Sequence, residues 1–543
     1  MKQLLLLLAF ATTVGLSAQS SVPDNWWELD RDENSYPGVS AERAETYLSG
    51  KQAETVVVAV IDSGVDIEHE DLKDIIWTNP GEIPGNGIDD DNNGYVDDIH
   101  GWNFIGGADG RNVNYENLEI VRLYNKLDAK YNNRNRDGLN KKEKAEYDRY
   151  QEYKSTIEKK QEELGPTAMQ YEMIKTAIDG ALEQMGKEPA DVTAEDIAEL
   201  ESEDQTIAIV KQVVANATAG GTTFAELYEQ LEGAQEYFDS QLKYNYNPEF
   251  DAREIVGDDP TNLKQRNYGN NDVEGPDAAH GTHVSGIIAG VHGNDIGVNG
   301  VGGTYVRIMS VRTVPNGDER DKDVANAIRY AVDNGAKVIN MSFGKGASPY
   351  KDAVDDAMKY AQKHDVLLVH AAGNDGKLLT LENNYPNDTY QGKRRTGKTW
   401  IEVGAASSSY DDNLAAPFSN YNKKYVDVFA PGAQIYSTIP DDQYAKFDGT
   451  SMAAPMVAGI AALLRSYFPD LKAKQVKEII EQSAVPVDLE VVKPGTDGEK
   501  VKFGELSATG GLANAFTAVK LAEQTKGKNR KLRDDRDPSL RLY

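Results

Sequence analysis

The chain has 543 residues, no cysteine and a formal net charge of −30. That length allows one large domain plus an insertion. The lack of cysteine excludes a disulfide framework, and the acidity argues against nucleic acid and anionic membranes as partners.

Met1-Lys2-Gln3 leads into an apolar core, Leu4 to Phe10, followed by small residues up to Ser20. This is the pattern of a secretory signal peptide over residues 1–19, and its apolar run is too short for an ordinary transmembrane helix. No other segment reads as a membrane anchor, so an exported protein, periplasmic or extracellular, is expected. Residues 20–113 then open the main domain. Only a short lead-in precedes the first strand, so no separate folding prodomain is expected.

Thr55 to Ile61 is β-branched and nearly all apolar, which predicts a buried parallel strand. Asp62 follows at its C-terminal edge, where open α/β sheets place their sites. Standing alone, such an Asp would read as a cap on the Ser63-Gly64 turn. Further on, Gly87 to Asp98 forms an acidic loop. Asp89, Asp91 and Asn93 alternate, Gly94 permits a sharp turn, Tyr95 offers a carbonyl and Asp97 another oxygen. This matches the first half of an EF-hand loop, and structural calcium is the expected cofactor. The final bidentate Glu of that pattern is replaced by His100, so Asp98 or a distant carboxylate must complete the set. A polar loop rich in Asx turns is the other reading.

Residues 114–246 read as a helical insertion. Leu118, Val121, Tyr124, Leu127 and Tyr131 recur at three- and four-residue spacing, as one helix face does. A second helix is expected over Lys141 to Leu164, ended by Gly165-Pro166, and a third over Thr167 to Met185. Thr193 with Asp196, and Thr223 with Glu226, have the spacing of capping boxes. A compact helical subdomain or lid is expected.

Residues 247–525 return to the main domain. His280 leads a slim run, Gly281 to Val291, which predicts a helix able to lie close against a sheet, with His283 one turn on. Lys337 to Gly344 and Val366 to Gly376 read as segments built on buried strands; by itself, Asn374 would read as part of an Asn-Asp-Gly turn. Ser451 opens a second slim helix, Ser451 to Leu464, whose first N–H groups and partial positive charge favour negative charge near the hydroxyl. Helices are expected over Lys474 to Ser483 and Gly510 to Glu523, and residues 526–543 form a basic tail.

A serine hydroxyl is a weak nucleophile until a base lies within hydrogen-bond reach and a third group fixes that base. Asp62, His280 and Ser451 supply a carboxylate, an imidazole and a hydroxyl. Their motifs, Val60 to Asp66, His280 to Gly286 and Gly449 to Pro455, taken together and in this order, resemble those of the subtilisin-like serine peptidases, the subtilases. The resemblance covers about residues 25–110 and 250–525 and leaves out the middle. It implies an α/β fold of three layers with a mostly parallel central sheet, here with an inserted α-helical subdomain. It also implies a serine endopeptidase acting on proteins or peptides through Asp62, His280 and Ser451, with Asn374 in the oxyanion hole. Ser342, Phe343 and Gly344 would pair with an extended substrate, and Ala371, Ala372 and Gly373 would form the opposite wall of the first specificity pocket. That small, apolar lining leads to an expectation of an apolar or aromatic residue before the scissile bond. The competing class is a catalytically silent member of the fold used for binding or regulation.

Overall fold

A computed structural model describes residues 22–200, 205–390 and 397–528. The expected signal peptide and most of the expected tail lie outside the described residues. The described residues divide into two compact units, one within residues 115–250 and the other within residues 22–114 and 251–528.

The larger unit is built on a nine-stranded sheet. Its first seven strands are β1 (Val56–Asp62), β2 (Gly101–Asn103), β3 (Val306–Arg312), β4 (Val338–Met341), β5 (Leu367–Ala371), β6 (Trp400–Ala406) and β7 (Val428–Pro431). A hairpin of β8 (Ile435–Ile439) and β9 (Gln443–Phe447) stands outside it, as does a second hairpin, β11 (Glu490–Val492) and β12 (Lys500–Lys502). Two short strands, β10 (Val485–Pro486) and β13 (Gly511–Leu512), complete one edge. The order is β10-β13-β7-β6-β5-β4-β1-β3-β2, and every pairing in the sheet is parallel except β10 with β13.

The central strands are apolar on both faces, as strands covered on two sides must be. Val56, Val58 and Val60 of β1, Val306 and Ile308 of β3, and Leu367, Val369 and Ala371 of β5 join one core with helices Ala279–Ala289 and Thr450–Tyr467. The residues between them, such as Ala59, Ile61, Met309 and Leu368, are equally buried. Helices Asp321–Asp333 and Lys351–Lys363 pack against β1, β3 and β5. The result is the three-layer α/β arrangement of a subtilisin-like fold. Because β4 and β3 flank β1 on opposite sides, the chain reverses its direction of winding there. Ligand sites in such sheets form at the carboxyl ends of the strands beside that switch.

The slim helices behave as their composition requires. A Cβ added at Gly459 would lie 2.7 Å from Val301 Cβ, so glycine allows the Ser451 helix to pack this closely. One expectation near the C-terminus needs correction. Gly511–Leu512 is the strand β13, between β10 and β7, and the last helix begins only at Ala515, capped by Asn514.

The smaller unit is helical: Glu119–Tyr131, Lys141–Met185, Ala194–Glu199, Gln205–Ala219 and Phe224–Asp239. Both expected capping boxes are present, Thr193 with Asp196 and Thr223 with Glu226. The break expected at Gly165-Pro166 does not occur, and one helix of 45 residues runs through it. Proline removes one N–H from the ladder, but packing on each side of it holds the helix in line. Tyr150 belongs to a cluster with Tyr131 and Leu139, while Ile174, Ile178 and Leu182 anchor the second half in another.

Candidate active site

Asp62 ends β1, and His280 lies in the first turn of its helix. Glycine brings the two together. A Cβ on Gly281 would fall 2.0 Å from Gly64 O, so only a bare backbone lets the helix approach the turn after Asp62 this closely. His280 Nδ1 donates to Asp62 Oδ1 at 2.6 Å, and the Ser63 N–H donates to the same oxygen at 2.8 Å. The Asp62 side chain is 2% exposed and that of His280 37%. With Nδ1 committed as donor, Nε2 is the nitrogen available as a base. Burial opposes the imidazolium. The charge and hydrogen bond of Asp62, helped by Asp277, outweigh it and raise the His280 pKa above its ordinary value of 6.5.

His283 has a different place. It is fully buried, its Nε2 lies 2.9 Å from Ile435 O and 3.1 Å from Ala445 O, and its ring stacks on Phe447. Burial pushes its pKa down to about 3, so it stays neutral and ties the helix to the β8–β9 hairpin.

Ser451 stands at the start of helix Thr450–Tyr467, clasped to the residue after β4. Its hydroxyl donates to Ser342 O at 3.0 Å, and the Ser342 hydroxyl donates back to Ser451 O at 2.8 Å. The hydroxyl is thus bonded to backbone rather than to His280. Catalytic hydrogen bonds commonly form only when substrate is present. Ser342 borders both the cavity of His280, about 250 Å³, and that of Ser451, about 550 Å³, so the two side chains face adjoining spaces.

Asn374 follows β5 and lines the Ser451 cavity. Thr450 N and Thr450 Oγ1 both donate to its Oδ1 at 2.8 Å, which fixes the amide and leaves Nδ2 as its free donor. A point at the Cβ position of Gly449 is 3.4 Å from both Asn374 Nδ2 and the Ser451 N. Two donors therefore converge beside the hydroxyl.

The expected binding segments border the same space. No backbone hydrogen bond joins Phe343 or Gly344 to another described residue before the ladder resumes at Lys345 N and Tyr385 O. Ala371 and Gly373 line the cavity with Ser342, Phe343 and Gly344, whereas Ala372 is fully buried behind them. The expectation of a plainly apolar pocket does not hold. Asp318, Asp375, Glu382, Asn383 and Asn384 also reach it, all from outside the two segments expected to form its walls.

The profile described as Subtilase family, Peptidase_S8, matches residues 53–516. The chain belongs to the subtilase family. It is 37% identical over 273 residues to the "Thermophilic serine proteinase" of Bacillus sp. (strain AK1), a match covering 50% of this chain and 59% of that protein. It is 39% identical over 206 residues to "Thermitase" of Thermoactinomyces vulgaris, covering 38% of this chain and 67% of that one. A solved structure of a protease from Pseudoalteromonas arctica aligns with TM-score 0.38 and 26% identity, over 48% of this chain and 82% of that one. The match therefore spans about three fifths to two thirds of the two sequence relatives.

Motif reading of this subtilase missed Thr450 as the anchor of Asn374, although it directly precedes Ser451. It also missed Arg312, which ends β3 almost fully buried. Its guanidinium donates to Ser63 O, Val113 O and Asn103 Oδ1 and so holds the turn after Asp62. Burial pushes its pKa down to about 10. An arginine at the C-terminal end of a strand, level with Asp62 on β1, was the available signal.

In the acidic loop the predicted oxygens are mostly engaged within the loop. Asp89 accepts from Asn93 N and Gly94 N, Asp97 from Asn86 N and Gly87 N, and Asn93 Oδ1 from Tyr95 N. The Tyr95 ring packs on Trp102, Phe104 and Tyr330. Of the predicted set, only Asp91 joins the group of carboxylates, which is Glu82, Asp91 and Asp98, with oxygens within 4.8 Å of one another. That spacing suits oxygen ligands sharing a calcium ion, each about 2.3–2.6 Å from it. Burial, with Asp91 nearby, pushes the Asp98 carboxyl up to about 6 despite bonds from Tyr330, Asn93 and Asn79. A cation would relieve that crowding.

Proposed function

We propose that this subtilase is an exported serine endopeptidase that hydrolyses peptide bonds in proteins or peptides. The observation that carries the reading is the His280 Nδ1–Asp62 bond, which leaves Nε2 free beside the cavity adjoining that of Ser451. When substrate enters, the Ser451 hydroxyl leaves Ser342 O and gives its proton to Nε2. Oγ attacks the carbonyl carbon, and the oxyanion accepts from Ser451 N and Asn374 Nδ2. The imidazolium, stabilised by Asp62, then protonates the departing amine. Water, activated by the same imidazole, hydrolyses the acyl-enzyme. The free backbone of Phe343 and Gly344 suits an extended peptide added as a further strand.

Export rests on the leader pattern of residues 1–19. No described helix is long and apolar enough to cross a membrane. We also propose that Glu82, Asp91 and Asp98 hold a structural calcium ion, which would offset most of the cluster's negative charge and fix the loop.

A fluorophosphonate probe tests the activity. The folded protein is expected to be labelled, and Ser451→Ala to abolish labelling. An unlabelled protein, or a labelled Ser451→Ala variant, favours the silent-fold alternative.

A further inference from the structure

The cavity beside Ser451 carries residues that none of the three motifs covers, and their chemistry bears on substrate choice. We propose that this cavity selects a lysine or arginine side chain on the residue whose carbonyl Ser451 attacks, with Asn384 and Glu382 as the specificity-determining residues. The inference rests on the peptidase reading above. A peptide laid along Phe343 and Gly344, with its carbonyl at Ser451, directs that side chain into the cavity these residues share.

Asn384 is a built acceptor in this space. Its side chain is among the buried polar groups, at 7% exposure. Nδ2 donates to Ala371 O and Ala372 O, each at 3.2 Å, so the amide is fixed to the wall. Oδ1 is turned toward Gly344, where an added Cβ would fall 2.4 Å from it. Among the described residues nothing donates to that oxygen, so a nine-tenths-buried polar side chain offers an unused acceptor to whatever fills the cavity. An apolar side chain would leave the acceptor unpaired, whereas an ammonium or guanidinium group satisfies it.

The charges around it favour a cation. Glu382 lines the cavity, is exposed and takes part in no ion pair among the described residues. The basic residues of the lining do not cancel it. Lys345 is 2% exposed and turns Nζ away, to Asp321 at 2.9 Å and Glu319 O at 2.6 Å. Lys377 is 69% exposed and pairs with Asp375 at 3.7 Å. Phe343 and Ala371 supply apolar wall for the methylene stem, so that only the charged end need meet polar groups. The volume of about 550 Å³ accommodates a long side chain.

The test uses the full enzyme and fluorogenic peptides that differ only before the scissile bond: Lys, Arg, Phe, Leu and Glu. Lys and Arg are expected to exceed Phe and Leu in kcat/KM by about tenfold or more, and Glu to be poorest. Glu382→Gln, an exposed change that leaves the fold intact, should cut the Lys-to-Phe ratio by up to about fivefold at low salt. Asn384→Ala, which removes the acceptor, should lower the ratio as well. Phe or Leu cleaved as fast as Lys, or a ratio unmoved in both variants, overturns the inference while leaving the peptidase reading intact. Absence of cleavage of every peptide, together with absence of fluorophosphonate labelling, overturns the peptidase reading itself and this inference with it.

Discussion

Asn374 allows chemistry and stability to be separated at one position. Its Oδ1 accepts from Thr450 N and Oγ1, while its Nδ2 is the donor proposed for the oxyanion. Asn374→Ala removes both functions. Loss of one oxyanion donor costs about 2.7–4 kcal/mol, or about 10²–10³ in kcat; that figure comes from subtilisin, a member of this family, and is not an independent forecast. Leaving Thr450 N and Oγ1 without their acceptor should cost about 1–3 kcal/mol of folding stability, since Thr450 is fully buried. Asn374→Asp separates the effects. A carboxylate oxygen still accepts both Thr450 bonds, but the donor is gone and a negative charge faces the oxyanion. The expected result is a fall in kcat at least as large as for alanine, with thermal stability close to wild type. Steady-state kinetics on a peptide substrate reads the first. Melting curves in a Ser451→Ala background, which prevents self-digestion, read the second. A kcat for Asn374→Asp within about tenfold of wild type, or a loss expressed only in KM, would refute the oxyanion role.

Other outcomes follow from the same structure. Activity should rise with pH as His280 loses its proton. Because Asp62 and Asp277 raise that pKa, the midpoint in kcat/KM should lie above 6.5, and Asp277→Asn should move it down; activity flat from about pH 5 to 8 contradicts the role of His280 as base. The sign for stability is the reverse: the imidazolium–carboxylate pair contributes fully below the unfolded pKa, and its contribution is lost as pH rises through the folded one. Arg253→Ala should destabilise the larger unit by about 3–5 kcal/mol, read as a lower denaturant midpoint, since buried Asp323 loses its cationic partner while Asp258 keeps Lys322. Arg253 bonds both Asp258 and Asp323, whose side chains are 0% exposed. Removal of calcium with a chelator should lower the melting temperature more than turnover, and Asp98→Asn should abolish that difference; indifference of the melting temperature to chelator removes the metal from this account.

The proposed catalytic residues were legible because their three short motifs, taken together and in order, resemble those of the family. Asp62 closes an apolar strand, while His280 and Ser451 each lead a helix too slim to have another obvious use. The acidic loop was less transparent. Alternating Asp and Asn satisfies an EF-hand pattern and an Asx-turn loop equally well, and only the fold shows Asp89 and Asp97 turned to backbone N–H groups while Glu82 arrives from outside the motif. Gly165-Pro166 misled for a related reason. Local propensity argues for a break, and packing on both sides, invisible in the pattern, overrides it.

The sequence by itself determined most of the strands and helices, the family and the residues proposed to react, because these depend on short-range periodicity and on motifs a few residues long. Tertiary structure alone decided what surrounds them. Gly281 against Gly64, Thr450 against Asn374, Arg312 over the turn, and Asn384 on the cavity wall are contacts between residues whose meeting depends on how the sheet is wound and the turns pack. A pocket's polarity is the sum of whatever side chains the winding delivers to it, and no single segment carries that information.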